Sequence, residues 1–378
     1  MTDPACIPVN RHELFANVHS VVVKIGTQAL CDHTGTIDPT IIKALTADLA
    51  DLMRHQHMQV TLVSSGAIGA GVAQMGLSAR PRELPMLQAA AAVGQSVLMN
   101  IFAAALQPHS LHAGQILVSR DDFDNRLRYL NLRNCIQALQ RSNCIPIINE
   151  NDAVTVDEIR FGDNDLIAAH ITNLVQADIL ILLSVVDGLL NAQGRVRSLV
   201  RAMDDDVAAM VRPEKSLRGS GGMNSKLVAA GTVKTAGVPV IIANGKVLGI
   251  VPRLLQGEDM GTLILPDKRR LSARSRWIGL TARPRGTLIV DAGAAAALQN
   301  NKSLLASGIV TANGEFTRGD LVAIMNGQGR VLARGLCNYS REDVDKIRGH
   351  KTREFAALLG SDTFYDEVVH RDNLVLHD

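Results

Sequence analysis

The sequence predicts an α/β protein with a largely parallel central sheet, followed by a small β-rich C-terminal domain. Three observations carry this reading. Up to residue 267, short apolar runs alternate with longer helical segments, the pattern of parallel strands joined by helical crossovers. After Pro266 the pattern changes to short strands punctuated by glycines. The chain has 378 residues, 47% of them hydrophobic and 20% charged, which excludes a disordered or collagen-like protein and leaves apolar surface for more than one core.

The elements follow in order. Residues 18–25 read as a short buried strand and 38–55 as an amphipathic helix. Residues 59–63 form a second β-rich run, leading into a small-residue turn at 64–71 that opens a helix. The Ala-rich stretch 84–106 is a strong helix former. The charge-free stretch 84–119 is broken by Pro85, Gly94, Asn100 and Pro108, so it reads as a buried helix plus a strand, and no membrane partner is expected. Strands are expected at 114–118, 145–148, 178–183 and 238–242, and helices at 125–140, 163–176 and 224–236. Residues 268–285 are basic, contain the single Trp277, and read as a linker. Residues 286–378 form the β-rich domain and tail, with strands at 287–290, 309–311, 321–325 and 331–336.

Charge narrows the partners. The formal net charge is +2, so no global basic field argues for wholesale nucleic-acid binding. Residues 1–267 hold 22 basic and 25 acidic groups, a balance of −3; residues 268–378 hold 17 and 12, a balance of +5. Five cysteines lack CxxC spacing, so neither a disulfide framework nor a zinc site is expected, and a reducing cytoplasm is the simpler compartment. No basic segment followed by an apolar one opens the sequence, so a secretory leader is not expected.

Four motifs could carry chemistry. Lys24, Gly26 and Thr27 end the first strand; an ammonium beside a loop of free N–H groups suits phosphate, and a solvated strand-end lysine is the alternative. Ser64 to Gly71 forms a turn at a helix N-terminus, where N–H groups and the dipole favour anions, although close helix–strand packing also uses small residues. Ile148 to Val154, followed by Gly162, Asp163, Asn164 and Asp165, gathers carboxylates and amides just past a buried strand, where open α/β sheets bind ligands; a solvated turn is the plainer reading. Gly219, Ser220, Gly221, Gly222, Met223, Asn224, Ser225 and Lys226 run into a helix. A lysine in a first helical turn is unfavourable unless an anion compensates it, which points to phosphate, against a flexible linker. His109 and His112 read as loop residues.

Taken in this order, the motifs resemble the amino-acid kinase family, and within it the members that act on glutamate. The resemblance rests on Lys24 to Thr27, Ser65 to Ile68, Ile148 to Val154, Gly162 to Asp165, and Gly221 to Met223 with Lys226. Gly308, Ile309, Phe316 to Asp320 and Gly335 resemble a PUA domain. The resemblance implies an amino-acid-kinase-like sandwich and transfer of the ATP γ-phosphoryl group to the side-chain carboxylate of L-glutamate, the first step of proline biosynthesis. It implies ATP and Mg²⁺ as cofactors, with no metal held by the protein alone. Lys24 and Lys226 would flank the transferring group and Asp165 would orient them. Ser65, Gly66, Ala67, Asn151, Asp152 and Asn164 would bind glutamate. Lys24, Gly26, Ser184, Val185 and the Gly219 to Lys226 loop would bind ATP. L-Proline as feedback inhibitor, a dimer or tetramer, and an encounter with the next pathway enzyme are further implications.

Two departures stand out. Relatives place Thr-Asp after the 178–183 strand, and here the pair is Ser184-Val185, which removes an acceptor. Ser225 stands where relatives often carry Thr. The alternatives are a kinase for another small carboxylate and an RNA-binding PUA protein; few aromatics and the weak basic excess argue against RNA.

Overall fold

The central strands are continuous apolar runs buried on both faces, so chemistry is left to their carboxyl ends. The computed structural model describes residues 9–32, 36–154, 163–204, 206, 207, 210, 222–267, 270–361 and 363–377. The chain divides into two compact units, Met1–Arg270 and Leu271–Asp378.

The first unit is built on an eight-stranded sheet of order β3-β4-β2-β1-β5-β7-β8-β6. The strands are β1 Ser20–Ile25, β2 Gln59–Ser64, β3 His112–Val118, β4 Cys144–Glu150, β5 Ile179–Ser184, β6 Leu199–Val200, β7 Val240–Asn244 and β8 Thr262–Ile264. All neighbours run parallel except β7 and β8. The helices are α1 Arg11–Phe15, α2 Thr27–Leu30, α3 Pro39–Arg54, α4 Ala67–Gln74, α5 Leu84–Leu106, α6 Asp121–Asp124, α7 Arg126–Arg141, α8 Asn164–Val175, α9 Met223–Thr235 and α10 Ile250–Leu255.

Successive strand side chains point to opposite faces. Val21, Val23 and Ile25 join a core that includes Ile42, Leu45 and Leu49 of α3 and Leu98 and Phe102 of α5. Val22 and Lys24 therefore face the other way, toward α8, which packs on β1. Helices thus cover both faces, as the fold class requires. Helix starts follow side-chain chemistry: Asp38 accepts from Thr40 N at 2.8 Å to cap α3, with Pro39 at its first position. Asn125 caps α7 through Leu127 N and Arg128 N, and Asp163 caps α8 through Asp165 N at 3.1 Å.

Residues 84–109 include a helix long and apolar enough to cross a membrane by length and composition. Here α5 packs against α3 and α4 and buries Leu98, Phe102 and Leu106 within the unit. The α4–α5 contact is backbone against backbone. A Cβ on Gly94 would lie 1.8 Å from Ala67 O, and one on Gly71 would lie 1.7 Å from Ala90 O. Only glycine at both positions permits that approach.

The second unit carries a five-stranded sheet of order β10-β9-β11-β12-β13. Its strands are β9 Gly286–Val290, β10 Ile309–Gly314, β11 Leu321–Met325, β12 Val331–Leu336 and β13 Leu374–Leu376. The β9–β11 pair is parallel and the others antiparallel. Leu288, Val290, Val322, Ile324, Ala333 and Phe355 fill its core. Residues 271–285, read from the sequence as linker, are folded into this unit. They form a helix Ala273–Arg276 and a π-helical turn Trp277–Thr281 with Trp277 buried, and Arg334 Nη1 donates to Gly279 O at 3.1 Å. Burial of the indole and of Ile278 outweighs the basic composition that suggested a linker.

Candidate active site

The strand period that builds the core also aims Lys24 at the carboxylates of α8. Lys24 Nζ lies 2.6 Å from Asp165 Oδ1 and 3.8 Å from Asp163 Oδ1. Lys226, near the start of α9, places Nζ 3.0 Å from Asp165 Oδ2. One buried carboxylate therefore holds two buried ammonium groups, one on each oxygen. Burial pushes the Asp165 carboxyl up, but the two lysine charges outweigh it and hold it below the ordinary carboxylate range. Ser225 Oγ donates to Asp163 Oδ2 and approaches Asp165 Oδ2 at 3.3 Å. The unfavourable lysine in a first helical turn is thus compensated inside the protein by Asp165.

Each ammonium has three donors, so both retain donors beyond Asp165. Gly26 follows Lys24 closely; a Cβ there would stand 3.5 Å from Lys24 Nζ and fill space beside the ammonium. A cation, a bare glycine and the N-terminus of α9 fit a phosphate group. Among the described residues no cluster of three or more His, Cys, Asp or Glu is placed to hold a metal. Two lysines against Asp163 and Asp165 leave the cluster with balanced charge, so a triphosphate entering it requires a cation of its own. Mg²⁺ carried on the nucleotide fits this arrangement.

The predicted glutamate residues lie around a second polar knot. Asn164 Nδ2 faces Ser65 Oγ at 2.8 Å, Asn149 Oδ1 at 2.9 Å and Ser64 O at 3.3 Å. Asn149 Nδ2 in turn donates to Gln95 Oε1 at 2.9 Å. Asn164 Oδ1 is buried and has no hydrogen-bond partner among the described residues, an acceptor left for an incoming donor. Gly66, at φ 109°, caps α4 and turns the chain so that Ala67 begins the helix. Asn151 donates its backbone N–H to Val118 O at 2.8 Å, and Asp152 starts the turn that follows β4. Because Asn164 and Asp165 are adjacent, the two knots share one helix start.

At the opposite edge, Ser184 ends β5 and Val185 is 40% exposed. A cleft of about 330 Å³ opens beside them, lined by Asp187, Val196, Ser198, Asn244, Val247 and Met260 among others. Val185 does not line it. Asp187 does, accepting from Asn244 Nδ2 at 2.8 Å. Gly222, Met223, Asn224 and Ser225 lead into Lys226 on α9. Gly162, Gly219, Ser220 and Gly221 lie outside the described residues.

Comparison with known proteins decides the family. Residues 20–244 match the model of the amino acid kinase family. The chain belongs to the amino acid kinase family. That match runs from β1 to the end of β7 and contains Lys24, Asp165 and Lys226. The kinase also matches the PUA domain over residues 286–359. It is similar to the glutamate 5-kinase of Caldanaerobacter subterraneus subsp. tengcongensis, 42% identical over 363 residues, 94% of this kinase and 97% of that protein. The glutamate 5-kinase of Syntrophotalea carbinolica is 42% identical over 373 residues, covering 97% and 99% of the two chains. That of Citrifermentans bemidjiense is 43% identical over 373 residues, covering 97% and 100%.

Sequence reasoning missed four residues of the kinase's polar framework. Gln95 lies inside an Ala-rich helical run, and Asn149 and Asp163 carry no signal beyond membership of a polar cluster. Asn244 ends a short apolar strand and offers no local signal; only its register beside Ser184 exposes it.

Proposed function

We propose that this kinase transfers the γ-phosphoryl group of ATP to the side-chain carboxylate of L-glutamate, giving L-glutamyl 5-phosphate, the first step of proline biosynthesis. The observation that carries the phosphoryl-transfer reading is the grip of Asp165 on Lys24 and Lys226. The substrate rests on the kinship to glutamate 5-kinases over nearly the whole chain.

The nucleophile is already a carboxylate, so no general base is required; positioning and charge neutralisation suffice. Lys24 and Lys226, fixed on Asp165, direct their remaining donors at the transferring group. Their charge counts most as negative charge redistributes in the transition state. A Mg²⁺ carried in with the nucleotide would supply the further positive charge that the balanced cluster lacks. The glutamate ammonium finds the free acceptor of Asn164 and the carboxylate of Asp152, with Ser65, Gly66, Ala67 and Asn151 around it. Ser184, the main chain of Val185 and the Gly219 to Ser225 backbone serve ATP.

Catalysis belongs to residues 1–267, and the C-terminal PUA domain is a regulatory or assembly module. L-Proline is the feedback inhibitor, the working form is a dimer or tetramer, and the compartment is the cytoplasm. The deciding experiment is ADP release by the purified full chain across amino acids, with hydroxylamine trapping the acyl phosphate as a hydroxamate. Glutamate-dependent ADP release and hydroxamate support the reading. ADP release that ignores glutamate, or that prefers another carboxylate, overturns it.

A further inference from the structure

A chain of three amides runs from α5 to the proposed glutamate residues. Gln95, 6% exposed, lies on the buried side of α5 with Ala91, Leu98 and Phe102. Its mount is rigid, because the preceding Gly94 meets the start of α4, where a Cβ would lie 1.8 Å from Ala67 O. Gln95 Oε1 accepts from Asn149 Nδ2 at 2.9 Å. Asn149 Oδ1 accepts from Asn164 Nδ2 at 2.9 Å, and Asn164 Nδ2 also reaches Ser65 Oγ at 2.8 Å. Two main-chain groups fix the direction of this chain. Glu150 N can only donate, so the Asn149 atom 2.9 Å from it is Oδ1. Ser64 O can only accept, so the Asn164 atom 3.3 Å from it is Nδ2. Asn149 Nδ2 is then turned to α5, and Gln95 Oε1 is the acceptor that meets it.

Gln95 gains little for itself. Among the described residues its Nε2 is buried with no hydrogen-bond partner, and a buried amide with an unmet donor costs free energy that an apolar side chain would not. Its use lies in Asn149, which is 2% exposed. Without an acceptor on α5, Asn149 would hold a buried, unpaired donor. Turning its amide toward another partner would withdraw Oδ1 from Asn164, which would lose one of the acceptors that hold its Nδ2. Asn164 Oδ1, buried and unpartnered among the described residues, is the atom offered to an incoming donor. An α-ammonium is such a donor, and a methylene in its place is not. A site built to bond a polar group discriminates against the analogue that lacks it, so control of that one oxygen is control of amine recognition.

We infer that Gln95 is a positioning residue for amine recognition: through Asn149 it fixes the Asn164 oxygen that selects an α-amino dicarboxylate over the dicarboxylate lacking the amine. The inference rests on the kinase reading above, and its test separates the two. Native protein, Gln95→Met and Gln95→Glu are compared as full chains. Calorimetric titration gives the affinities for glutamate and for glutarate, which lacks the amine; steady-state turnover gives kcat and the KM values for glutamate and ATP. Gln95→Met keeps the length of the side chain and removes the acceptor. It is expected to weaken glutamate binding about tenfold and to leave glutarate binding, the ATP KM and kcat near native. Gln95→Glu keeps an oxygen for Asn149 in either protonation state and should restore the preference for glutamate. If Gln95→Met does not fold, Gln95→Asn, whose amide is drawn back by one methylene, must show the same loss. An unchanged preference in a folded variant overturns the inference, as does an equal weakening of both ligands, the mark of a purely structural role. A native protein that binds the two ligands equally also overturns it. Absence of glutamate-dependent turnover in the native protein overturns the kinase reading alone, because the titrations still report on Gln95.

Discussion

Lys226 Nζ lies 3.0 Å from Asp165 Oδ2, although the residues are 61 positions apart in the chain. Asp165→Asn would leave that ammonium and Lys24 buried beside a neutral amide. Breaking a buried pair from one side costs about 3–5 kcal/mol, so a large drop in thermal midpoint is expected. The pH dependence has a definite sign. Asp165 is held below its ordinary value of 3.8, so its contribution is complete above that value and is lost as pH falls through the lower, folded one. Acid titration of stability in both proteins checks this: the native protein should lose more than the variant below about pH 4.

Lys226→Ala should lower kcat on the order of 10²-fold or more while changing the glutamate KM little, because its charge acts on the transition state. Unchanged turnover in a folded variant would remove Lys226 from the mechanism.

Asp152→Ala should weaken glutamate binding and spare ATP binding. Separate calorimetric titrations with each ligand read this directly. A collapse of ATP affinity with glutamate affinity intact would show the two halves of the site to be assigned the wrong way round.

Asp187, rather than Val185, presents a carboxylate to the cleft. Loss of a hydrogen bond to a charged group costs about 1.5–3 kcal/mol, roughly one to two decades in affinity. Asp187→Ala should therefore raise the KM for ATP and loosen the preference for ATP over GTP, whereas Val185→Asp should leave both near native. A sharpened ATP preference in Val185→Asp would return the reading role to position 185.

Asp48 sits on α3 and accepts from Val251 N at 3.3 Å, and burial raises its carboxyl to about 6. The raised value means the folded state favours the protonated form, so stability is lost as pH rises from about 4 to about 6. Asp48→Asn should stabilise the protein at pH 8 by an amount on the order of 1 kcal/mol after solvent screening, and leave it unchanged near pH 4. Denaturant melts at the two pH values decide it.

The fold was legible wherever a run of residues was long enough to show a period. The helix expected at 84–106 and the strands at 321–325 and 331–336 stand at those limits in the structure. What escaped was short or held by partners distant in sequence. β6 and β8 have two and three residues, too few for any pattern, and the five-residue α1 is fixed by the burial of Phe15 and by Arg11 and its partners some 187 to 249 positions away. The site was legible at its lysines because Lys24 and Lys226 each break a local preference. Asn149 and Gln95 break none: each reads as an ordinary polar residue until the sheet and α5 bring them to 2.9 Å.

The paired glycines at 71 and 94 have a consequence for redesign. Because α4 meets α5 backbone to backbone, the segment that begins with Ser65, Gly66 and Ala67 has no slack in which to accept a bulkier or shorter substrate. Changing either glycine alone would drive the helices apart and move that segment with them. The turn from Asn151 to Val154 contains no glycine packed in that way, and Val154 is 63% exposed. Libraries aimed at a new acceptor for the phosphoryl group should diversify that loop and keep both glycines, since tolerance to change is distributed unevenly between the two walls that would enclose the amino acid.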